Sequence, residues 1–230
     1  MTDKTFHQPI PLILAPTAVE YAAVRRALGK RAASGEIRLG QCGMGVQRAR
    51  SFCEKAPPGP FACLALVGWA GGLARDLAVG EIVSAEAAVM DGLPRLDCQV
   101  LDLPVARTGS ILTVPKALMS EAEKRAAVEA SGAVAVEMEA YPLAEWAQEQ
   151  GIPFIHVRII MDAWDEPLPD FAAGGSVWGR VRGLPGMAPR MWWMYQRIRM
   201  LDPLLEKMAG MVAEAMLKYV KAGVIISRTS

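Results

Sequence analysis

One apolar run in the first third of the chain places the strongest limit on its fold. Residues 61–68 are nearly all apolar and lead into the glycine pair Gly71 and Gly72. A strand without polar alternation is expected to be covered on both faces, as in a sheet packed between helices. Similar apolar runs at residues 10–15 and 154–160 alternate with stretches of helical period. We therefore expect an α/β protein, a single-domain three-layer sandwich with a mixed central sheet flanked by helices.

The same pattern predicts the individual elements. Strands are expected at residues 10–15, 36–40, 61–68, 79–85, 87–90, 134–138 and 154–160, with weaker candidates at 100–106 and 110–114. Helices are expected at residues 19–28, 46–53, 120–130, 140–150 and 203–221. Ser120 and Glu123 have the spacing of a capping box, which is typical of the start of a helix.

Within this single domain of residues 1–230, the segment 166–200 differs in composition from the rest. It is rich first in glycine and proline and then in tryptophan and methionine, from Trp178 to Tyr195. Such residues have two interpretations: they belong to the ordinary core, or they form a flexible lid over an apolar ligand.

Composition excludes several classes of function. The 230 residues carry a net charge of +1, and no basic cluster is interleaved with aromatic residues, so we expect no nucleic-acid partner. Only His7 and His156 are present, and the four cysteines lack a CxxC spacing, so we expect neither a metal nor a cofactor. His156 lies in an apolar run, where a packed, hydrogen-bonded histidine is more common than a catalytic one.

The sequence also bears on location. The N-terminus is polar, and no stretch approaches the roughly 20 apolar residues that a membrane span requires. Four scattered cysteines do not resemble the disulfide framework of a small secreted protein. We therefore expect a cytoplasmic protein with no membrane span.

Three carboxylates follow two of the predicted strands. Glu137 and Glu139 come directly after three apolar residues, and Asp162 closes the next apolar strand. At strand spacing, residues i and i+2 share a face, so Glu137 and Glu139 would point the same way. Burying unpaired carboxylates costs free energy, so the cluster needs hydrogen-bonding partners or a ligand. Alternatively, Glu137 and Glu139 lie at the positive end of the next helix, which leaves Asp162 and the glycine turn at 68–72 unexplained.

Several motifs occur in a recognisable order. Residues 68–73 read G-W-A-G-G-L, residues 79–83 read V-G-E-I-V, residues 136–140 read V-E-M-E-A, and residues 157–162 read V-R-I-I-M-D. They resemble the G-x-A-G-G-L…V-G-D-V-V, V-E-M-E-A and V-R-x-I-S-D motifs of the nucleoside phosphorylase/nucleosidase superfamily, which includes the methylthioadenosine nucleosidases. Residues 15–21 are also similar to the family's N-terminal segment, whose last acid serves catalysis.

This resemblance implies cleavage of the N-glycosidic bond of a purine nucleoside, most simply an adenine nucleoside. Two catalytic carboxylates are implied. Glu20 would orient or deprotonate the attacking water, and Asp162 would help to donate a proton towards N7 of the purine. A small-molecule nucleoside is the implied partner, together with a second copy of the chain, since the resemblance implies a homo-oligomer, a dimer.

The resemblance also implies the substrate-binding residues. Glu139 would hold the 2′ and 3′ hydroxyls of the ribose, Glu137 belongs to the same ribose-binding motif, and Met138 would pack against the sugar. The backbone at Ala70 and Gly71 would form a wall beside the sugar and the base, because small residues allow close approach.

The chain departs from the family pattern at several positions. Met161 stands where the family usually has serine, so a hydrogen bond that helps to set the aspartate is expected to be missing. Trp69 replaces a small residue and is expected to reshape the sugar pocket. The stretch between residues 83 and 108 is shorter than in methylthioadenosine nucleosidases, where it helps to close the pocket around the 5′ substituent.

The sequence leaves two candidates for the nucleophile, water and phosphate. The G-D-P-x-R-like loop that carries the phosphate-binding arginine of the phosphorylases has no counterpart at residues 15–20. Water is therefore the favoured nucleophile, with phosphate as the alternative and Arg48, Lys116 or Arg158 as candidate anion ligands. A homologue that binds a nucleoside or lipid without turnover is a second alternative, favoured by Met161 and Trp69. An esterase is disfavoured, since no G-x-S-x-G motif is present.

The sequence also bears on the group at the 5′ position of the substrate. Residues 108–140, including Lys124, and the pair Leu168-Pro169 are similar to the hopanoid-associated phosphorylases, which are assigned to adenosylhopane, a nucleoside with a large lipid at the 5′ position. This similarity and the aromatic segment predict a preference for long apolar 5′ substituents and are compatible with peripheral membrane contact. The acidic motif reads E-M-E-A here, where D-M-E-S is expected of that subgroup.

Overall fold

The computed structural model describes residues 8–56, 59–168 and 188–222. Within these ranges the strands are β1 (Ile10–Ala15), β2 (Arg38–Gln41), β3 (Phe61–Gly72), β4 (Ile82–Val89), β5 (Leu96–Asp97), β6 (Arg107–Thr113), β7 (Ala135–Glu137) and β8 (Phe154–Asp162). The helices are α1 (Ala18–Ala33), α2 (Val46–Glu54), α3 (Glu121–Ser131), α4 (Ala140–Glu149) and α5 (Ala188–Lys221). Most of the predicted elements are present, and α3 begins with the expected capping box of Ser120 and Glu123.

The strands form one mixed sheet, part of which closes on itself. β3 pairs in parallel with β1 on one side and with β8 on the other. β8 pairs antiparallel with β4, which pairs in parallel with β6, which pairs in parallel with β7. β7 then returns to the end of β3 as an antiparallel neighbour, so these five strands form a ring. The predicted mixed sheet is confirmed, and the last residues of β3 meet both β7 and β8.

Helices cover the sheet on both sides of β1 and β3. Ile13 and Val67 pack into a core with α1 and α5, whereas Leu12 and Leu66 pack into a second core with α2 and α4. Alternate residues of a strand face opposite sides, so the continuous apolar run in β3 supplies both cores at once. The predicted three-layer arrangement is therefore confirmed.

Two strand predictions are corrected. The segments 79–85 and 87–90 contribute to a single strand, β4, in which Glu86 is an extra residue in the register with β6. This bulge interrupts the apolar alternation and imitates a break between two strands. Residues 100–106 are not a strand. Pro104 has no N–H to give to a ladder, and this stretch makes isolated bonds such as that from Ala106 N–H to Ile82.

The last helix begins earlier than predicted. α5 starts at Ala188 rather than at Pro203, which lies inside it. Proline suits the first turn of a helix, so the sequence alone favoured Pro203 as the start. Of the segment 166–200, residues 169–187 lie outside the described residues, and residues 188–200 form the first turns of α5. No helix in the described part of the chain, α5 included, is both long and apolar enough to cross a membrane.

Candidate active site

The candidate site is organised around the buried guanidinium of Arg158, in the middle of β8. Nη2 of Arg158 donates to Oε2 of Glu137 (2.7 Å) and to Oε2 of Glu139 (3.2 Å), and Nε donates to Nε2 of His156 (2.8 Å). Removing a guanidinium from water costs free energy, which the two carboxylates offset. Burial and the nearby Arg158 cation lower the pKa of His156 well below its usual value, so the ring accepts as a neutral group. The prediction of a packed, hydrogen-bonded His156 is confirmed.

Glu137 is bound on both carboxylate oxygens by the protein itself. Oε1 accepts from Oγ1 of Thr113 (2.5 Å). Oε2 accepts from the backbone N–H groups of Glu139 and Ala140 (2.8 Å each), in addition to Arg158. These bonds place a negative charge against the first N–H groups of α4, where helices favour an anion. The helix-terminus interpretation therefore describes Glu137, and its part in substrate binding stays a prediction.

Glu139 lies at the start of α4, and each of its carboxylate oxygens accepts one hydrogen bond from the protein. Oε1 accepts from Gly45 N–H (2.8 Å), and Oε2 accepts the longer bond from Arg158. Burial and the neighbouring Glu137 raise the pKa of Glu139 to about 7, with Arg158 opposing them. Met138 is half-buried, with its terminal methyl carbon close to Gly45. Glu139 thus changes charge near neutral pH.

Glu20 combines a helix cap with a contact to β3. It lies in the first turn of α1, where Oε2 accepts from the backbone N–H (2.9 Å) and the hydroxyl (2.5 Å) of Thr17, completing a capping box. Oε1 reaches across to the backbone N–H of Trp69 (2.8 Å). Burial raises the pKa of Glu20, against the opposing effects of Arg158 and these hydrogen bonds. A raised pKa makes the carboxylate a stronger base.

Gly68 allows Glu20 and Arg158 to face one another. A Cβ at Gly68 would collide with both Oε1 of Glu20 and Nη1 of Arg158. Nη1 is buried and receives no partner from any residue that the structure describes. A buried N–H without a partner is uncommon and calls for an acceptor. Glu20 and Arg158 therefore bring a base and an unpartnered donor to the same side of Gly68.

Asp162 lies at the end of β8, next to Gly71 of β3. The register between the two strands shifts here, which leaves Met161 as an extra residue. Oδ2 of Asp162 accepts from Nζ of Lys124 (2.5 Å), and both side chains are almost completely buried. Burial raises the pKa of Asp162, with Lys124 as the main opposing influence. Asp162 is therefore held by Lys124 from α3, and Met161 supplies no hydroxyl to it.

The sheet brings Glu20, Asp162 and the strand that ends in Glu137 to the last part of β3. Gly68 pairs with Arg158, and Gly71 pairs with both Asp162 and Val136, the residue before Glu137. Ala70 is buried between them. At about 3.3 Å per residue, the Glu20 centre at Gly68 and the Asp162 centre at Gly71 lie ~10 Å apart along the strand. These pairings place the two acid centres at successive positions along one strand.

The sequence did not predict the partners that hold these carboxylates. Arg158 was considered only as an anion ligand, and Lys124 only as part of a family resemblance. The available signal was a lysine on a helix and an arginine inside an apolar strand, since buried cations need acidic partners. Thr113 carried no such signal. The other candidate anion ligands, Arg48 and Lys116, are exposed.

The indole of Trp69 packs against the core beneath α1 and α5, so its described contact with the site is the backbone N–H that binds Glu20. The described residues contain no group of three or more histidine, cysteine or acidic side chains arranged to hold a metal ion.

Comparisons with known proteins bear on the family resemblance and on the fold. The family model described as "Phosphorylase superfamily" matches residues 95–174. No curated protein matches the chain. Among solved structures, the 5′-methylthioadenosine/S-adenosylhomocysteine nucleosidase from Neisseria meningitidis, in complex with methylthio-immucillin-A, is similar with a TM-score of 0.66. That pair shares 17% identity, over 91% of this chain and 99% of the other.

Two Helicobacter pylori proteins are similar to a comparable extent. The 5′-methylthioadenosine/S-adenosylhomocysteine nucleosidase with butyl-thio-DADMe-Immucillin-A has a TM-score of 0.63 at 16% identity, over 94% of this chain and 100% of the other. Futalosine hydrolase has a TM-score of 0.62 at 15% identity, over 93% and 98%. The resemblance to the nucleoside phosphorylase/nucleosidase superfamily is thereby confirmed, by sequence over residues 95–174 and by fold over nearly the whole chain.

Proposed function

We propose that this protein is a purine nucleoside N-ribosyl hydrolase that releases adenine from a 5′-substituted nucleoside, with water as the nucleophile. The observation that carries the proposal is the meeting of Oε1 of Glu20 and the unpartnered Nη1 of Arg158 beside Gly68. In this proposal, a water that contacts both groups accepts from Nη1 of Arg158 and donates to Oε1 of Glu20. The fold shared with nucleosidases and futalosine hydrolase supports the same reaction class.

In the proposed reaction, the bond between C1′ of the sugar and N9 of the purine breaks, and its electron pair goes to the base. Asp162 transfers a proton to N7, which makes the base a neutral leaving group. The water oxygen forms a bond to C1′, and its proton passes to Glu20. Glu139 holds the 2′ and 3′ hydroxyls, with Met138 against the sugar and the backbone of Ala70 and Gly71 beside the ring. The products are free adenine and a free ribosyl sugar.

The finer identity of the substrate is part of the proposal. A long apolar 5′ substituent, as in an adenosylhopane-type lipid nucleoside, is favoured by the family resemblance around Lys124 and Leu168. Each buried methylene of such a substituent contributes roughly 0.8 kcal/mol to binding. A 5′-alkyl adenosine series is therefore expected to bind more tightly than adenosine, and equal affinities would contradict this part. A dimer is proposed on the resemblance to the superfamily, a cytoplasmic location on the polar N-terminus and scattered cysteines, and peripheral membrane contact on the apolar 5′ substituent.

The nucleophile is tested by base release in phosphate-free buffer. We expect adenine and free ribosyl product from a panel of adenine nucleosides, with little acceleration when phosphate is added. Glu20→Gln is expected to abolish nearly all of this activity. Glu123→Gln is the matched control, because Glu123 closes the other capping box, at the exposed start of α3. Loss of a helix cap affects both variants, whereas loss of the base affects Glu20→Gln alone.

Two other outcomes decide between the alternatives. Strict dependence on phosphate, with a ribosyl 1-phosphate product, would identify a phosphorylase and make Arg158 Nη1 an anion ligand. A rise in melting temperature with a nucleoside, without any base release from the panel, would identify a non-catalytic binding protein.

The pH dependence of kcat/KM tests the role of Glu139. Its carboxylate must be ionised to accept from two ribose hydroxyls, and its pKa is raised to about 7. The acidic limb of the kcat/KM profile is therefore expected to have a midpoint close to 7. Glu139→Gln should lower kcat/KM and remove the part of the acidic limb that has this midpoint, while the contribution of Glu20 remains. A wild-type profile that is flat through neutral pH would contradict the assignment.

A further inference from the structure

Lys124 is a buried cation whose contacts converge on one short segment of chain. Its side chain is 1% exposed and projects from α3. Nζ donates to Oδ2 of Asp162 (2.5 Å), to the carbonyl of Ala163 (2.5 Å) and to the carbonyl of Glu166 (2.8 Å). An ammonium group has three N–H donors, so these acceptors use all of them. Lys124 therefore has no donor left for a substrate.

The two carboxylate oxygens of Asp162 have different hydrogen-bond partners. Oδ2 is held by Lys124, whereas Oδ1 receives no hydrogen bond from any residue within the described ranges. A proton on Oδ2 would compete with the N–H of Lys124, so the proton belongs on Oδ1. The two carbonyl bonds also fix the backbone that follows Asp162, and so limit the directions in which its side chain can point.

We propose that Lys124 is the positioning residue of Asp162: it holds Oδ2, so that Oδ1 carries the proton and presents it to the leaving base. The catalytic role of Lys124 rests on the proposed nucleosidase function. The hydrogen bond between Lys124 and Asp162 is independent of that proposal. Met161 offers no hydroxyl to hold the aspartate from its own strand, and Lys124 does so from α3 instead.

The charge of Lys124 predicts a pH effect that a purely structural lysine would not show. The charged groups that act on Asp162 are Lys124 from α3, Glu166 from the segment after β8, and Arg197 from α5. Burial and Glu166 raise the pKa of Asp162, while Lys124 and Arg197 lower it. Removing the Lys124 charge must therefore raise that pKa further. A general acid works in its protonated form, so activity falls as the pH rises above its pKa.

The test compares Lys124→Met, which loses both charge and donors, with Lys124→Gln, which keeps a donor. Both are expected to shift the basic limb of the kcat–pH profile to higher pH. Misplacing a reacting group costs up to about 100-fold, so we expect Lys124→Met to lower kcat by about 10- to 100-fold with little change in KM. Lys124→Gln should retain more of kcat. Arg125→Gln, at the exposed neighbouring position, is the matched control and should leave the profile unchanged.

An infrared titration separates this inference from the proposed function. The carbonyl stretch of the protonated Asp162 is identified by its absence in Asp162→Asn, and its pH midpoint is measured in each variant without substrate. We expect a higher midpoint in both Lys124 variants than in the wild type. If the wild type releases no base from any nucleoside, the proposed function fails, and the titration still decides whether Lys124 controls Asp162.

Three results would overturn the inference. An unchanged midpoint would show that Lys124 does not set the charge of Asp162. A lower melting temperature with kcat and its pH profile unchanged would make Lys124 a structural residue. Failure of both Lys124 variants to fold would assign it the same structural role.

Discussion

Asp162→Asn is expected to lower kcat by about two to four orders of magnitude, the usual range for removing a general acid. The amide has nearly the same shape as the carboxyl group and can still accept from Nζ of Lys124, but it cannot donate a proton to N7. The affinity for free adenine should fall far less, because the base is retained by the surrounding backbone and side chains. The measurements are single-turnover base release and adenine binding by calorimetry.

The control for this variant is Asp165→Asn, which makes the same change at an exposed position three residues further along the chain. Its kcat should stay close to that of the wild type. An Asp162→Asn variant that folds normally and retains near wild-type turnover would remove Asp162 from the mechanism.

Arg158→Met is expected to destabilise the folded state by about 3–5 kcal/mol, because it leaves buried carboxylates without their cation. Glu137 and Glu139 lose a hydrogen bond each, and Glu20 loses a nearby positive charge. A protonated carboxyl group needs no cation, so the loss should be smaller at pH 5 than at pH 8. Urea denaturation at both values measures the free energy of unfolding.

Arg107→Met provides the comparison for the buried arginine. Arg107 pairs with Asp76 at the surface, where the two side chains are 40% and 71% exposed. Solvent-exposed pairs contribute only about 0–1 kcal/mol, so this variant should be close to wild-type stability at both pH values. Equal losses for Arg107→Met and Arg158→Met would show that the buried network does not stabilise the fold.

The predictions from sequence succeeded where a local pattern carries the information. The apolar run in β3 predicted a strand covered on both sides, and two apolar cores now lie against it. The spacing of Ser120 and Glu123 predicted the start of α3. Prediction failed where a local pattern has two explanations. The bulge at Glu86 resembled a break between strands, and Pro203 resembled a helix start although α5 continues through it.

For the candidate site, too, the sequence predicted what depends on local pattern and missed what depends on distant contacts. The sequence itself indicated that Glu137, Glu139 and Asp162 follow buried strands, and that burying them requires partners or a ligand. It could not identify those partners. Glu137 illustrates the consequence, because its position left both protein donors and a ligand possible, and the structure surrounds both of its oxygens with protein donors.

What the sequence by itself determined is the alternation of strands and helices, the apolar faces, and the acidic residues at the strand ends, since each depends on residues a few positions apart. Only the tertiary structure decided that Lys124 holds Asp162 from 38 residues away and that Glu20 reaches Trp69 across 49 residues. Such pairs depend on how whole elements pack against the sheet. Periodicity indicates which face of a helix or strand is apolar. It does not indicate which distant polar side chain will contact that element.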